Sequence, residues 1–232
     1  MINKQNILQQ SFFNRDACKV AQSLLGKIIR KKFGANWLSA QIIETEAYYI
    51  NEKGSHASLG FTEKRKALFM PPGTIYMYYA RGKDSLNMSC MGEGNAVLIK
   101  SGIPYRDNMT PGNMIKIMQS NNPTNSDLSP RSRIRLCSGQ TLLCRSLGIT
   151  VKEWNQKQFD SNQFFVEDIG ILPSKIINTK RLGIAAGRDE HLFYRFIDFD
   201  YVIYCTKNPL TIRKNQSGID YLIKKTSMLK TT

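Results

Sequence analysis

In the first hundred residues the apolar side chains come in short runs separated by turn residues, and this punctuation constrains the fold more than any other feature of the chain. Residues 27–33 and 37–46 read as two strands joined around Gly34-Ala35-Asn36. Pro71-Pro72-Gly73 precedes Thr74-Ile75-Tyr76-Met77-Tyr78-Tyr79, a β-branched and aromatic run. Residues 86–91 and 95–101 flank Gly92-Glu93-Gly94, a short loop of the kind that closes a hairpin. Runs this short, joined this tightly, pair as an antiparallel sheet.

Helical spacing appears before and after these strands. Ala17, Val20, Ala21, Leu24 and Leu25 follow the i, i+3, i+4, i+7, i+8 pattern, with Asn14 as the expected cap, Asp16 in the first turn and Gly26 as the stop. A second helix is expected over 113–119. It is followed by a polar, Pro-containing surface loop over 120–130 and a basic stretch, Arg131 to Arg135. Ser138 is placed to cap a helix over 139–147 that stops at Gly148, and further strands are expected over 164–169, 175–184 and 199–206. The expected fold is α+β: a single compact domain around a curved antiparallel sheet with surrounding helices. It is expected to cover residues 1–209, with residues 210–232 a basic C-terminal tail of uncertain order.

The 232 residues include 33 Lys+Arg against 18 Asp+Glu, a formal charge of +15. Such an excess makes a polyanion the leading partner class, because Lys and Arg that neutralise phosphates release condensed counterions. The alternative is a solvated surface whose Lys, Asn and Ile reflect A·T-rich codons. There is no run of about 18 apolar residues, and the leader holds Asn3, Gln5, Asn6, Gln9 and Gln10; neither a membrane span nor a secretory signal is expected, and the cytoplasm is the expected compartment. Cys18, Cys90, Cys137, Cys144 and Cys205 are odd in number and form no CxxC pair, so they are read as reduced thiols. With only His56 and His191 to supplement them, no metal site is expected.

The chemistry centres on Glu44-Thr45-Glu46-Ala47-Tyr48. On a strand, residues two apart share a face at roughly 6.5–7 Å, so both carboxylates project the same way. They could act as an acid and base pair of the glycosidase type, or be ordinary carboxylates at a strand end. Spacing does not decide between these.

The surrounding segments add information. Ile43 to Tyr48, His56, residues 69–78 with their Met-Pro-Pro-Gly-Thr core, and Leu86-Asn87-Met88-Ser89 together resemble the alkyladenine (3-methyladenine, methylpurine) DNA glycosylase family. Phe12-Phe13, Leu24-Leu25-Gly26, Leu136-Cys137-Ser138-Gly139, Leu143-Cys144, Arg181-Leu182-Gly183 and Arg195-Phe196 extend the match in the same order over about residues 12–209. The resemblance implies a monofunctional enzyme that flips a damaged purine from duplex DNA and hydrolyses its N-glycosidic bond with water, initiating base excision repair without metal or cofactor. Glu46 matches the family's general base, which returns Glu44 to a structural or electrostatic role. Tyr48, His56 and Tyr78 match the aromatic residues around the flipped base, and Asn87 matches an Asn that discriminates against the exocyclic amine of guanine. Tyr76 shares a face with Tyr78 and is expected in a wall or core role.

Two departures from the family pattern stand out. Lys100 occupies the place of an Arg that helps hold the catalytic water; it keeps the charge but lacks the planar fork. Tyr79-Ala80-Arg81-Gly82 aligns with the protruding hairpin whose wedge replaces the flipped nucleotide, which puts the wedge on Arg81, with Tyr79 as competitor and Lys83 near a phosphate. Arg131, Arg133, Arg135 and the helix opening from Ser138 to Thr141 are the further phosphate candidates. The implied partner is duplex DNA containing a damaged purine, engaged by a monomer with no membrane involvement. A catalytically inactive relative that binds damaged DNA or structured RNA is the alternative. Retention of Glu46, Tyr48 and His56 together argues against it, because a binder has no need of a positioned carboxylate, which beside a phosphodiester weakens binding.

If the basic surface tracks phosphates, log affinity for duplex DNA falls linearly with log salt, by about 0.9 for each phosphate neutralised. Titrations at several salt concentrations measure the slope. A flat response would contradict the phosphate-tracking role.

Overall fold

A computed structural model describes residues 4–226. Lys230 of the basic tail and Asn3 of the leader lie outside the described residues. The chain opens with a short helix α1 (Gln10–Phe13) and then α2 (Ala17–Leu24). Asp16, not Asn14, caps α2: its side chain accepts from the Lys19 amide at 3.0 Å, while Asn14 closes α1. The first-turn acid has taken the capping position because the helix begins one residue after it.

Strands β1 (Ile28–Phe33) and β2 (Asn36–Tyr48) follow as a hairpin, then β3 (Ile75–Ala80), β4 (Lys83–Ser89) and β5 (Ala96–Pro104). Helices α3 (Met114–Asn121), α4 (Gln140–Leu147) and α5 (Val151–Trp154) separate these from β6 (Phe164–Glu167), β7 (Lys175–Thr179), β8 (Arg195–Asp198) and β9 (Tyr221–Lys225). Among the described residues the nine strands form one antiparallel sheet in the order β3-β4-β5-β2-β8-β7-β9, with β1 on β2 and β6 on β1.

Three expectations need correction. Residues 199–206 hold no strand. The strand lies just before them as β8, and Phe199–Tyr204 coils into 3-10 turns once the Asp198 side chain accepts from the Asp200 amide. Apolar and aromatic residues in that run suggest a strand by composition, but they pack as turns against Ile43, Ile177 and Ile197. β7 stops at Thr179, well short of 184, where the chain turns and buries Arg181. Ser138 does not cap α4: its hydroxyl donates to the Cys205 carbonyl, and Gly139, at φ +109°, takes the capping position. Beyond Pro209 the basic segment carries β9, which pairs along β7.

β2 is the hinge of the sheet. One edge runs along β5; the other pairs with β1 as far as Gln41 and with β8 from Glu44. Two bulges mark the switch. Ile43 is the extra residue on β2 between the Ile42–Gly102 and Glu44–Ser101 pairs, and Lys100 is the extra residue on β5 between Ser101 and Ile99. Bulges of this kind bend a strand and re-aim the side chains beside it.

The period-2 alternation of strands then sorts the side chains. Ile75, Met77, Leu86, Met88, Val97, Ile99 and Ala47 join the main core with α2 and α4. The intervening residues, Tyr76, Tyr78, Asn87, Leu98, Lys100 and Tyr48, line a cleft on the other face. The five cysteines carry free thiols, and no described helix is long and apolar enough to cross a membrane.

Gly26 makes the tight exit from α2 at φ +86°, and a Cβ there would stand 2.4 Å from the Ile171 carbonyl oxygen. Gly26→Ala is expected to destabilise the fold by about 2 kcal/mol or more, from left-handed strain plus the backbone clash. Thermal melting should fall by about 4–8 °C for a chain of this size. An unchanged melting temperature would contradict the tight approach.

Candidate active site

Glu44 and Glu46 share a strand and a spacing, yet their surroundings assign them different work. Glu44 is fully buried and saturated. Arg195 Nε donates to its Oε1 at 2.7 Å, and it also accepts from the Ser101 hydroxyl and from the Thr206 amide and hydroxyl. Burial alone would raise this carboxyl, but the Arg195 guanidinium and the two hydroxyl donors outweigh it and hold it below the ordinary carboxylate range. Arg195 in turn donates to Thr206 Oγ1 and the Lys207 carbonyl, so the pair ties β2, β8 and the chain after β8 together.

Glu46 is buried just as completely, but only half satisfied. Tyr48 donates its hydroxyl to Oε2 at 2.7 Å; Oε1 accepts no hydrogen bond among the described residues and lies 3.3 Å from Lys100 Nζ. Burial, then the charge of Glu46, push the Tyr48 phenol far above its usual value, so it stays protonated and donates. The carboxyl has no exposed surface of its own and sits directly behind Tyr48 and Lys100, which do line the cleft.

The cleft encloses about 680 Å³. Its floor is β2 to β5, and its far wall comes from two segments, residues 54–59 and 182–188. His56 enters from the loop after β2. Its Nδ1 lies 3.0 Å from Tyr76 Oη, and its ring meets the Tyr78 ring edge to face at 4.4 Å. Burial, with Arg65 and Arg188 nearby, lowers the His56 pKa, so the ring is neutral at neutral pH. Tyr76 and Tyr78 stack at 5.6 Å. The Asn87 amide donates to the Tyr76 carbonyl at 3.1 Å, which fixes its orientation at the cleft floor.

Sequence reasoning gave no role to Arg181. Its guanidinium lies 4.5 Å from the centre of the Tyr48 ring, donates to the Ala47 carbonyl and pairs with Glu52, which locks Tyr48 from behind. The resemblance had marked Arg181-Leu182-Gly183; the contact with Tyr48 is visible only in three dimensions. Gln140, in the first turn of α4 within the helix opening named for phosphate contacts, lines the cleft instead of standing only on the outer surface.

The expected DNA-contacting residues separate into two groups. Arg81 and Gly82 form the two-residue tip of the β3–β4 hairpin, both at positive φ (53° and 75°), and Ala80 pairs with Lys83 below them. Arg81 also lines the cleft mouth, and Tyr79 is 60% exposed beside it. Thr141 lines the cleft as well. Arg133 and Arg135 are exposed on a 3-10 turn before α4, whereas Arg131 donates from two of its nitrogens to the Asn122 and Pro123 carbonyls. Among the described residues no three His, Cys, Asp or Glu side chains gather as a ligand set.

The strand face presents a buried carboxyl behind an aromatic cleft, and comparison with known proteins identifies the class. Residues 11–201 match the family described as Methylpurine-DNA glycosylase (MPG). A protein from Pseudomonas savastanoi pv. phaseolicola, named "Putative 3-methyladenine DNA glycosylase", is 59% identical over 93% of this chain and 96% of its own length. A protein of the same name from Pseudomonas aeruginosa LESB58 is 57% identical over 92% of this chain and 89% of its own, and one from Methanocella arvoryzae is 32% identical over 83% and 92%. The chain belongs to the methylpurine-DNA glycosylase family; it is a DNA glycosylase, a hydrolase of N-glycosyl bonds.

Removing one partner of a buried ion pair costs about 3–5 kcal/mol, so Arg195→Met should lower the melting temperature by about 6–20 °C near neutral pH. The pH dependence has a definite sign. With Arg195 present, the depressed Glu44 carboxyl adds stability above the ordinary carboxylate range, and this is lost as pH falls below that range through the depressed value. Without Arg195 burial raises the carboxyl, so the variant recovers stability as pH is lowered towards the ordinary carboxylate range and the gap to the parent protein narrows on acidification. Melting curves from neutral pH down into that range check this; a gap that widens on acidification would contradict it.

Proposed function

We propose that this glycosylase excises alkylated purines, the 3-methyladenine class, from duplex DNA with a water molecule activated by Glu46. The observation that carries the reading is the buried Glu46 carboxyl, held by Tyr48 on one oxygen and reached from the cleft past Lys100 on the other. N3- or N7-alkylated purines are already cationic, so they leave without a strong acid, and one carboxylate suffices. The water oxygen adds to C1′ as the N-glycosidic bond breaks, its electron pair departs with the purine, and the water's proton passes to Glu46. The carboxylate also stabilises the positive charge that builds on the sugar.

The flipped base lies between Tyr48 and the His56–Tyr78 pair. A cation over an aromatic face gains roughly 0.5–2 kcal/mol, which favours alkylated over intact bases. Neutral His56 adds hydrogen-bond selectivity without repelling a cationic base. The Asn87 amide, oriented by the Tyr76 carbonyl, stands where it would clash with the exocyclic amine of guanine. Lys100, 3.3 Å from the free oxygen of Glu46, helps hold the attacking water with its charged end, without the planar fork of an Arg. Arg81 at the hairpin tip fills the gap left by the flipped nucleotide, with Tyr79 beside it. Lys83, Arg133, Arg135 and the amides at the start of α4 near Thr141 meet phosphates, with Arg131 shaping the loop behind them. The enzyme acts in this reading as a monomer on nucleoid DNA in the cytoplasm, initiating base excision repair.

Glu46→Gln keeps shape and burial but removes the base. Single-turnover excision from a duplex with one alkylated purine should fall by about 10²–10⁴-fold. Affinity for the same duplex should hold or rise, because a charge that repels phosphate is gone. Equal loss of both would make Glu46 a structural residue and contradict the reading.

A further inference from the structure

We propose that Gln140 is a positioning residue for base excision: its side-chain carbonyl holds the second hydrogen of the water that Glu46 activates. The proposal rests on the reading in which Glu46 works at C1′ of the sugar. Gln140 heads the buried stripe of α4, followed at i+3, i+4 and i+7 by Leu143, Cys144 and Leu147, all three in the core. An amide therefore stands where the pattern calls for an apolar residue, and it lines the cleft. The turn before it is fastened to β5 right beside Lys100. The Gly139 amide donates to Ser101 Oγ at 3.0 Å, and the Gly102 amide donates to the Cys137 carbonyl at 3.0 Å.

The polar atoms here call for one kind of partner. Gln140 Oε1 is buried and accepts no hydrogen bond among the described residues, and the same holds for Glu46 Oε1. A buried acceptor without a donor costs stability, so two of them beside one cleft mark a place for a donor with two hydrogens. The Tyr78 hydroxyl feels all the groups involved. Burial raises its pKa; Ser85, the Lys100 charge and a hydrogen bond with Gln140 ease that rise, and the Glu46 charge adds to it. Because a donor is what eases the rise, Gln140 gives its N–H to Tyr78 and keeps Oε1 for another partner.

A water fits these partners in all four directions. One O–H points to Glu46 Oε1 and the other to Gln140 Oε1. One lone pair accepts from Lys100 Nζ, itself 3.3 Å from Glu46 Oε1, and the other is aimed at C1′. As the oxygen bonds to C1′, the N-glycosidic electron pair leaves with the purine and the proton on the Glu46 side passes to the carboxylate. The hydrogen on the Gln140 side stays on the oxygen, as the hydroxyl of the abasic sugar. Holding it stops the water from turning about its bond to Glu46, so Gln140 contributes to the rate of attack and not to base binding.

The test is single-turnover excision from a duplex with one alkylated purine, at saturating enzyme from about pH 5 to about pH 9, with the affinity of each variant for the same duplex. Gln140→Met removes the acceptor at similar size. Its plateau rate should fall by about 10–100-fold while its affinity holds. Gln140→Glu keeps an acceptor and should recover most of that loss on the alkaline plateau. Its acid limb should move up by about one pH unit or more, because a second carboxylate beside Glu46 raises the pH at which Glu46 ionises. The parent rate in Gln140→Met, an affinity loss that matches the rate loss, or an acid limb of Gln140→Glu at the parent position would each overturn the proposal. Purine release that is lost in Glu46→Gln but untouched in Gln140→Met overturns the role of Gln140 alone, whereas a parent protein that releases no purine overturns the glycosylase reading and this proposal together.

Discussion

The active face of this protein depends on one buried ion pair. β2 exchanges β1 for β8 as its neighbour at Ile43 and Glu44, and a strand that changes partners leaves its register underdetermined there. Glu44 resolves it. By pairing with Arg195 of β8, accepting from Ser101 of β5 and from Thr206, it fixes three segments against one carboxylate. The β2 residues proposed to act on the base and sugar lie within four residues of that point: Glu46 two residues on and Tyr48 four. An apolar residue at 44 could fill the volume, but it would not specify which strand edge meets which. A buried pair is weak evidence for net stability and better evidence for specificity of arrangement.

From that anchor the cleft follows by alternation. Odd positions of β3 and β5 feed the core with α2 and α4, and even positions of the same strands become the floor of the cleft, so one sheet serves as both scaffold and site. The bulge at Lys100 adds an ammonium next to a carboxyl that alternation alone would leave beside a regular strand. Arg181, held by Glu52 and the Ala47 carbonyl, then stiffens the Tyr48 ring from the side away from the cleft. Such support is what lets an aromatic side chain hold a fixed plane for a ligand to stack on.

Much of this was legible in the chain itself, and the failures have physical causes. The strands of the first hundred residues could be placed from turn residues because hairpins are local. The hairpin tip at Arg81-Gly82 was placed by the family resemblance, not by local spacing. Residues 199–206 carry strand-like composition but form turns, since the Asp198 side chain competes with the ladder for a backbone amide. Which of Glu44 and Glu46 is structural was beyond spacing, because the deciding partner is Arg195, 151 residues away in sequence. The family resemblance made that assignment before any geometry was available. The resemblance marked Arg181 and the sequence marked the helix opening at Gln140, but their places beside Tyr48 and in the cleft wall could not be read locally, since each reaches the site from a segment distant in sequence.

The central claim is that a carboxyl buried behind an aromatic cleft removes cationic purines from DNA. The most direct measurement is single-turnover incubation of the purified chain with a duplex holding one alkylated purine, quantifying both the free base and the alkali-labile site left behind. The predicted result is release of free methylpurine in step with abasic-site formation, and none from the undamaged duplex. Tight binding to the damaged duplex with the base still attached would contradict it.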